Sequence, residues 1–313
     1  MRVLQRRPEN RVDRWEHDRY WRLLEAPDGL VLIEVQNQGT IDKPDVRYAL
    51  RQLGHSAAAR PWLLQTLRRV LGLDVDSDPF RHLAGAERKL RPAALALRGM
   101  RPPRFTGLFE AFANVVPFQQ LSLDAGIAIV GRLVGRFGRC LEHGGRRRHA
   151  FPTAEAIAGA RLEALRQCGL SSRKAETLHS LARVIASGEL SEEEIAGMSS
   201  AEALRFLTEL AGIGPWSASL VLLRGLGRLD VFPPGDVGAQ AGLRALMHLG
   251  PSAPLERVIE RFGNYRGYLY FYALGGRLLA KGLIRPASQQ TAGACGKAQR
   301  DAVEAERRRI ALR

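Results

Sequence analysis

Lysine is scarce in this chain. Of 47 basic residues only five are lysine, at positions 43, 89, 174, 281 and 297, and none lies between Lys174 and Lys281. Amine chemistry of the Schiff-base type is thereby denied to that stretch. Cysteine is equally sparse: Cys140, Cys168 and Cys295 are odd in number, far apart and without a Cys-x-x-Cys pair. That pattern excludes a disulfide frame and fits a reducing, cytoplasmic setting. The seven histidines form no His-x-x-x-His or Cys-paired spacing, and the four clustered thiolates of an iron–sulfur centre are missing. No apolar run approaches the ~18 residues of a membrane span. The opening Met1-Arg2-Val3-Leu4-Gln5-Arg6-Arg7-Pro8 has no apolar signal core. No membrane partner is expected.

What the chain has in excess is arginine. The formal net charge is +15, and a surplus of that size favours a polyanion through phosphate contacts and counterion release. An arginine skew also follows from genomic base composition, so charge alone does not decide the partner. A chain of 313 residues with 45% hydrophobic content can bury one or two substantial cores without metal or disulfide, and two or three subdomains are expected.

Residues 1–18 are polar and read as a flexible arm. Residues 20–24, 30–35 and 46–50 read as strands of a small antiparallel sheet, separated by Pro-Asp-Gly and Asp-Lys-Pro-Asp turn signals. Helical spacing covers 57–73 and 79–97, and Pro102-Pro103 closes an N-terminal α+β domain spanning 19–100. From 101 to 284 the chain reads as all helix. Thr106, Ser122, Thr153 and Ser171 are candidate caps, and Ser191 and Ser199 each open a capping box with a Glu three residues on. Residues 285–313 read as a basic tail. The fold class is α+β: a small N-terminal antiparallel sheet domain followed by an all-α domain.

Two segments carry chemistry. The first, Leu210-Ala211-Gly212-Ile213-Gly214-Pro215-Trp216-Ser217-Ala218, is a helix stop followed by a restart at proline. Gly212 can take the left-handed turn, and Pro215 at the first helical position gives up an N–H that lacks a partner anyway. The N–H groups of Gly214, Trp216, Ser217 and Ala218 then face outward at a positive helix end, where a phosphate fits. The turn carbonyls of Leu210 and Ile213 could hold a monovalent cation, Na⁺ or K⁺. A plain helix–turn–helix corner has the same local pattern. The second segment, Val231-Phe232-Pro233-Pro234-Gly235-Asp236, presents one carboxylate at a helix start. Asp236 can be an ordinary N-cap, a charge-stabilising group, or both.

The hairpin and the Pro/Gly-rich loop ending in Asp236 resemble the helix–hairpin–helix, Gly/Pro-Asp superfamily of DNA glycosylases. The order of N-terminal sheet, Gln119-Gln120-Leu121-Ser122, Gly169-Leu170-Ser171-Ser172-Arg173-Lys174-Ala175, hairpin and Asp236 is similar to the DNA-3-methyladenine glycosylase II branch. The resemblance covers residues 20–284. It implies a helix–hairpin–helix glycosylase domain over 101–284, double-stranded DNA containing damaged bases as partner, a monomer, and no required cofactor beyond the hairpin cation. It also implies roles. Asp236 is the catalytic carboxylate, and Leu121 is a wedge that enters the duplex as the target nucleotide leaves the stack. Trp216, Gln119, Gln120 and Tyr265 line the base pocket, while Arg173 and Lys174 join the hairpin in phosphate contact. Each has a plainer reading: Leu121 and Trp216 as core, the glutamines as a polar helix end, Arg173 and Lys174 as a solvated face.

Bifunctional members of the superfamily carry a lysine at the position held here by Trp216, so the resemblance implies a monofunctional enzyme that leaves an abasic site. Two departures alter the pocket: Leu220 and Leu274 stand where some members have aromatics, and Gly235 stands where many have a second acid. Tyr265, Tyr268, Tyr270, Phe271 and Tyr272 could supply other stacking surfaces. The competing readings are a non-catalytic hairpin DNA-binding protein, a glycosylase for a different damaged base, and a structural or RNA-binding basic protein.

Overall fold

The structure, a computed structural model, describes residues 4, 10–41, 44–52 and 59–287. The basic tail beyond 287 and part of the expected N-terminal arm lie outside the described residues. Strands β1 (Arg14–Glu16), β2 (Arg19–Ala26), β3 (Gly29–Asn37) and β4 (Val46–Gln52) form an antiparallel sheet in sequential order. β1 corrects the expected arm. The β1–β2 connection is His17-Asp18, both at positive φ (49° and 59°), a two-residue hairpin turn without the Asn-Gly that normally announces one.

Helix α1 (Ala59–Leu71) lays Leu63, Leu67 and Val70 on Tyr20, Leu24 and Ile33 of the sheet. The single helix expected over 79–97 is two, α2 (Asp78–Ala86) and α3 (Arg91–Ala96), because Pro92 fits only in the first turn of a helix. Phe80 of α2 stacks on Tyr268 with centroids 4.2 Å apart, so the core it anchors takes residues from both sides of position 100.

The next stretch is α4 (Leu108–Ala113), a 3-10 turn (Val116–Phe118) and α5 (Leu123–Phe137). Ser122 caps α5, accepting from Ala125 N at 3.2 Å. Thr106 does not cap α4; Gly107 holds that position and the Thr106 hydroxyl donates to Glu110. Strands β5 (Cys140–His143) and β6 (Arg146–His149) then interrupt the region expected to be all helix. Gly144 and Gly145 (φ 59° and 69°) make their turn, and Leu141 and Ala150 pack on Leu23 and Leu32 of the main sheet. That Gly-Gly was the readable signal.

Helices α6 (Ala154–Ala158), α7 (Leu162–Arg166), α8 (Ser172–Ala186), α9 (Glu192–Ala196) and α10 (Ser200–Glu209) follow. Thr153, Ser171, Ser191 and Ser199 cap α6, α8, α9 and α10, and the reciprocal box with Glu202 forms at Ser199. Helix α11 (Pro215–Leu220) widens into a π-helical segment (Val221–Leu226). The chain then runs through α12 (Val237–Leu246), α13 (Leu255–Glu260), a 3-10 turn (Gly263–Tyr265) and α14 (Tyr268–Ala280). Among the described residues no helix is long and apolar enough to cross a membrane.

A buried ion pair fastens the sheet to the helices. Arg22 of β2 is 3% exposed and Glu110 of α4 is 5% exposed. The guanidinium donates to both Glu110 oxygens (2.7 and 2.6 Å) and to Asp13 (2.8 Å). Burial penalises the Arg22 charge, yet the Glu110 and Asp13 carboxylates hold it protonated above its ordinary value. Glu110→Leu would leave that buried charge with Asp13 as its remaining carboxylate, and a loss of about 3 kcal/mol is expected in denaturant unfolding. The double variant Arg22→Met/Glu110→Leu should recover part of it, because the desolvation of both charges is removed along with their attraction, while Asp13 loses its cation and keeps the Tyr20 hydroxyl.

Candidate active site and nucleic-acid interface

A cleft of about 1270 Å³ opens between the turn after the 3-10 segment, the α10–α11 hairpin and the start of α12. On its hairpin side, α10 ends at Leu210 and the backbone turns left-handed at Gly212 (φ 81°). A Cβ at Gly212 would lie 2.2 Å from Thr177 Oγ1 on α8, so the hairpin turn sits directly against that helix. Gly214 is the N-cap of α11, with open space where its Cβ would be. Helix geometry leaves the N–H groups of Gly214, Trp216 and Ser217 without intrahelical partners. The expected fourth donor is corrected: Ala218 N is one position too far along and bonds Gly214 O at 2.9 Å.

The carboxylate side is more tightly arranged than the sequence indicates. Asp236 caps α12 through Oδ1, which accepts from Ala239 N at 2.7 Å. Its other oxygen, Oδ2, accepts from Trp216 Nε1 at 3.0 Å. Capping and placement in the cleft are thus one arrangement, with each oxygen fixed by one N–H. The Trp216 contact spans twenty residues of sequence; its only forewarning is that a half-buried indole N–H needs an acceptor. Arg277 of α14 donates to Gly238 O at 2.7 Å in the same helical turn, bringing a cation to this corner. Val237, next to the carboxylate, is 79% exposed at the cleft edge.

Opposite lies the Gln119–Leu121 turn. Gln120 adopts φ 55°, a left-handed conformation costing about 1 kcal/mol for a non-glycine residue. Leu121 follows it, 45% exposed rather than in the core. Gln119 is half-buried, and its Nε2 donates to Gly212 O (2.8 Å) and Ser217 Oγ (3.0 Å), linking this turn to the hairpin. Arg173 is exposed at the cleft edge. Lys174, expected to reach for a phosphate, donates instead from Nζ to Gln119 O (2.6 Å) and Pro117 O (3.2 Å). Burial lowers its pKa from the ordinary lysine value.

Of the aromatic cluster, Tyr270 borders the cleft while Tyr268, Phe271 and Tyr272 are buried in the cores. Tyr265 packs against the α2–α14 core, outside the cleft lining. Helical phase explains this: with Tyr268 and Tyr272 facing Phe80, Tyr270 is turned to the other side. Leu220 and Leu274 both line the cleft, giving it apolar rather than aromatic walls at those points.

A hairpin built to offer main-chain N–H groups, facing a fixed carboxylate across a cleft, is the layout of a DNA-repair fold. The sequence matches, over residues 114–264, the family described as HhH-GPD superfamily base excision DNA repair protein. It is 30% identical over 216 residues to a DNA-3-methyladenine glycosylase of Bacillus subtilis, covering 68% of this chain and 71% of that protein. The 3-methyladenine DNA-glycosylase from Archaeoglobus fulgidus superposes with a TM-score of 0.73 at 27% identity, covering 89% of this chain and 95% of its own. A Schizosaccharomyces pombe 3-methyladenine DNA glycosylase, solved in complex with abasic DNA, gives 0.53 at 28% identity over 63% of this chain and 95% of that one. The chain belongs to the HhH-GPD superfamily of base excision DNA repair proteins.

The two hairpin glycines should respond differently to substitution. Gly212→Ala combines a disfavoured φ with a clash against Thr177, and a loss of at least about 2 kcal/mol is expected in thermal or urea unfolding. Gly214→Ala meets open space and should cost about 1 kcal/mol, the ordinary loss of an N-cap glycine.

Proposed function

We propose that the protein is a monofunctional DNA glycosylase that hydrolyses the N-glycosidic bond of alkylated purines, of the 3-methyladenine type, in duplex DNA. The observation that carries this reading is the Asp236 carboxylate, held in the cleft by Trp216 Nε1 and Ala239 N. The related B. subtilis and A. fulgidus proteins, named for 3-methyladenine, support the lesion class. The S. pombe relative in complex with abasic DNA supports the DNA partner and the expected product.

The residues divide the work by chemistry. The N–H groups of Gly214, Trp216 and Ser217 hold a backbone phosphate at the positive end of a helix. Arg173 adds a charge at the rim. Leu121 enters the space left by the extruded nucleotide, which then lies in the cleft beside Trp216 and Tyr270. The carbonyls of Leu210 and Ile213, near the negative end of α10, would hold a hard monovalent cation, which would supply positive charge for the phosphate; Leu210 O accepts one bond, from Ile213 N, and keeps a lone pair. As the C1′–N bond breaks, its electron pair leaves with the base and the sugar becomes cationic. Asp236 stabilises that cation, and water adds to C1′ with loss of a proton. The products are a free base and an intact strand with an abasic site, and the enzyme acts as a monomer.

Trp216 occupies the position where an attacking lysine would stand, and the Lys174 amine is bound to two carbonyls. Borohydride should therefore trap no covalent protein–DNA adduct while methylated bases are released; efficient trapping would show that an amine attacks the sugar. Asp236→Asn keeps the shape of the side chain but removes the charge and one of the two accepting oxygens. Base release in a single-turnover assay should fall by at least about 10³-fold with DNA affinity within a few-fold of wild type. Trp216→Phe deletes the Nε1–H donor together with part of the ring that lines the cleft, so the single-turnover rate should drop at least roughly tenfold, the worth of one hydrogen bond to a charged group.

A further inference from the structure

Lys174 is the lysine that borders the cleft among the described residues, and its position is over-determined. Its backbone N–H donates to the Ser171 cap at 3.4 Å, fixing the residue in the first turn of α8. Its Nζ donates to Gln119 O and Pro117 O, two carbonyls of the 3-10 segment and the turn that follows. Immediately after them the backbone becomes left-handed at Gln120 and delivers Leu121 to the surface. Two half-buried carbonyls converging on one point repel each other unless a cation lies between them. The Gln119 side chain extends the chain of contacts to Gly212 O and Ser217 Oγ of the hairpin. Thr177, one turn beyond Lys174 on the same helix, is the residue against which Gly212 is packed.

We propose that Lys174 is a positioning residue for nucleotide extrusion: it holds the left-handed turn that presents Leu121 and, through Gln119, locks that turn to the phosphate-binding hairpin. The inference rests on the glycosylase reading above. A phosphate-neutralising lysine directs its ammonium to solvent; here two of the three donors are committed to main-chain carbonyls, and burial disfavours the charge without reversing those bonds.

The test is a cycle of Lys174→Met, Leu121→Ala and the double variant, with Lys174→Arg as the conservative replacement. Each is assayed on methylated duplex DNA under single-turnover conditions, with 2-aminopurine beside the lesion to report unstacking. Lys174→Met should slow base release and reduce the unstacking signal by about tenfold, a misplacement effect. The salt slope of DNA binding should stay as in wild type. In the Leu121→Ala background the same change should cost no more than about twofold, because both act through one element. Lys174→Arg, which can donate to both carbonyls, should restore most of the rate. A salt slope reduced by about one with the saturating rate unchanged would make Lys174 a phosphate contact and overturn the proposal. Fully additive effects in the cycle, or a Lys174→Met enzyme equal to wild type, would overturn it as well. Should Lys174→Met not melt cooperatively, Lys174→Gln, which keeps an uncharged NH2 donor group, is read by the same criteria. If wild type itself releases no base from methylated DNA, the glycosylase reading fails instead, and that result is separate from the others.

Discussion

The backbone at Gly212 runs so close to Thr177 that no side chain can be inserted between them. This single approach sets the hairpin against α8, and the remaining parts of the site are hung from that pair. α8 carries Lys174, which holds the carbonyls of Pro117 and Gln119. Gln119 returns to the hairpin through Gly212 O and Ser217 Oγ, closing a ring of contacts. From the far side of the hairpin, Trp216 reaches Asp236. The hairpin N–H groups, Leu121 and the Asp236 carboxylate therefore share one frame, which on the proposed reading holds phosphate donors, wedge and catalytic group together. Such a frame matters because displacement of a reacting group by about 1 Å can cost two orders of magnitude in rate.

The frame in turn leans on the sheet. Arg22 and Glu110 form a pair that is costly to bury and costlier to break, and both are among the residues lining the cleft. Arg224, in the π-helical continuation of α11, is buried against the rings of Phe105 and Phe271, and its Nε donates to Pro103 O at 3.1 Å. The widened helical turn takes this long cationic side chain without breaking the run from the hairpin into the core. Charge in this protein is thus divided: some arginines are internal fasteners, and others, such as Arg173, are exposed at the cleft. The net surplus by itself did not distinguish the two.

What was legible in the sequence was local. Ser122, Thr153, Ser171, Ser199 and Asp236 cap helices as their neighbours within three residues require, and the Gly-Ile-Gly-Pro hairpin follows from the φ and N–H chemistry of glycine and proline. What was not legible depends on contacts across the chain. The Trp216–Asp236 bond, the inward turn of Lys174 and the placement of Tyr270 rather than Tyr265 at the cleft all arise from how helices far apart in sequence are packed. Strand β1 has no local signal because His17-Asp18 makes a turn usually signalled by Asn-Gly, whereas the β5–β6 hairpin carries one in Gly144-Gly145. The Ala218 N–H is not free for a phosphate because, with Gly214 as N-cap, it already bonds Gly214 O within the helix.

The carboxylates around the cleft also bear on which bases could leave. Asp13 and Glu110 are engaged by Arg22, and Glu209 is exposed at the hairpin side, so Asp236 alone stands fixed beside the indole of Trp216. A carboxylate in that role stabilises the sugar as it becomes cationic but gives no proton to the departing base. The base must therefore leave with its own electron deficiency, which alkylation on a ring nitrogen supplies as a positive charge. Leu220 and Leu274 add apolar surface without hydrogen-bonding groups that would read the edge of a particular base. On the proposed reading, selectivity then comes from the lability of the glycosidic bond more than from contacts to the lesion, since apolar walls discriminate shape by only about 1–3 kcal/mol. A site of this kind favours a range of alkylated purines that share a weakened bond, and it disfavours neutral oxidised bases even where they fit the cleft.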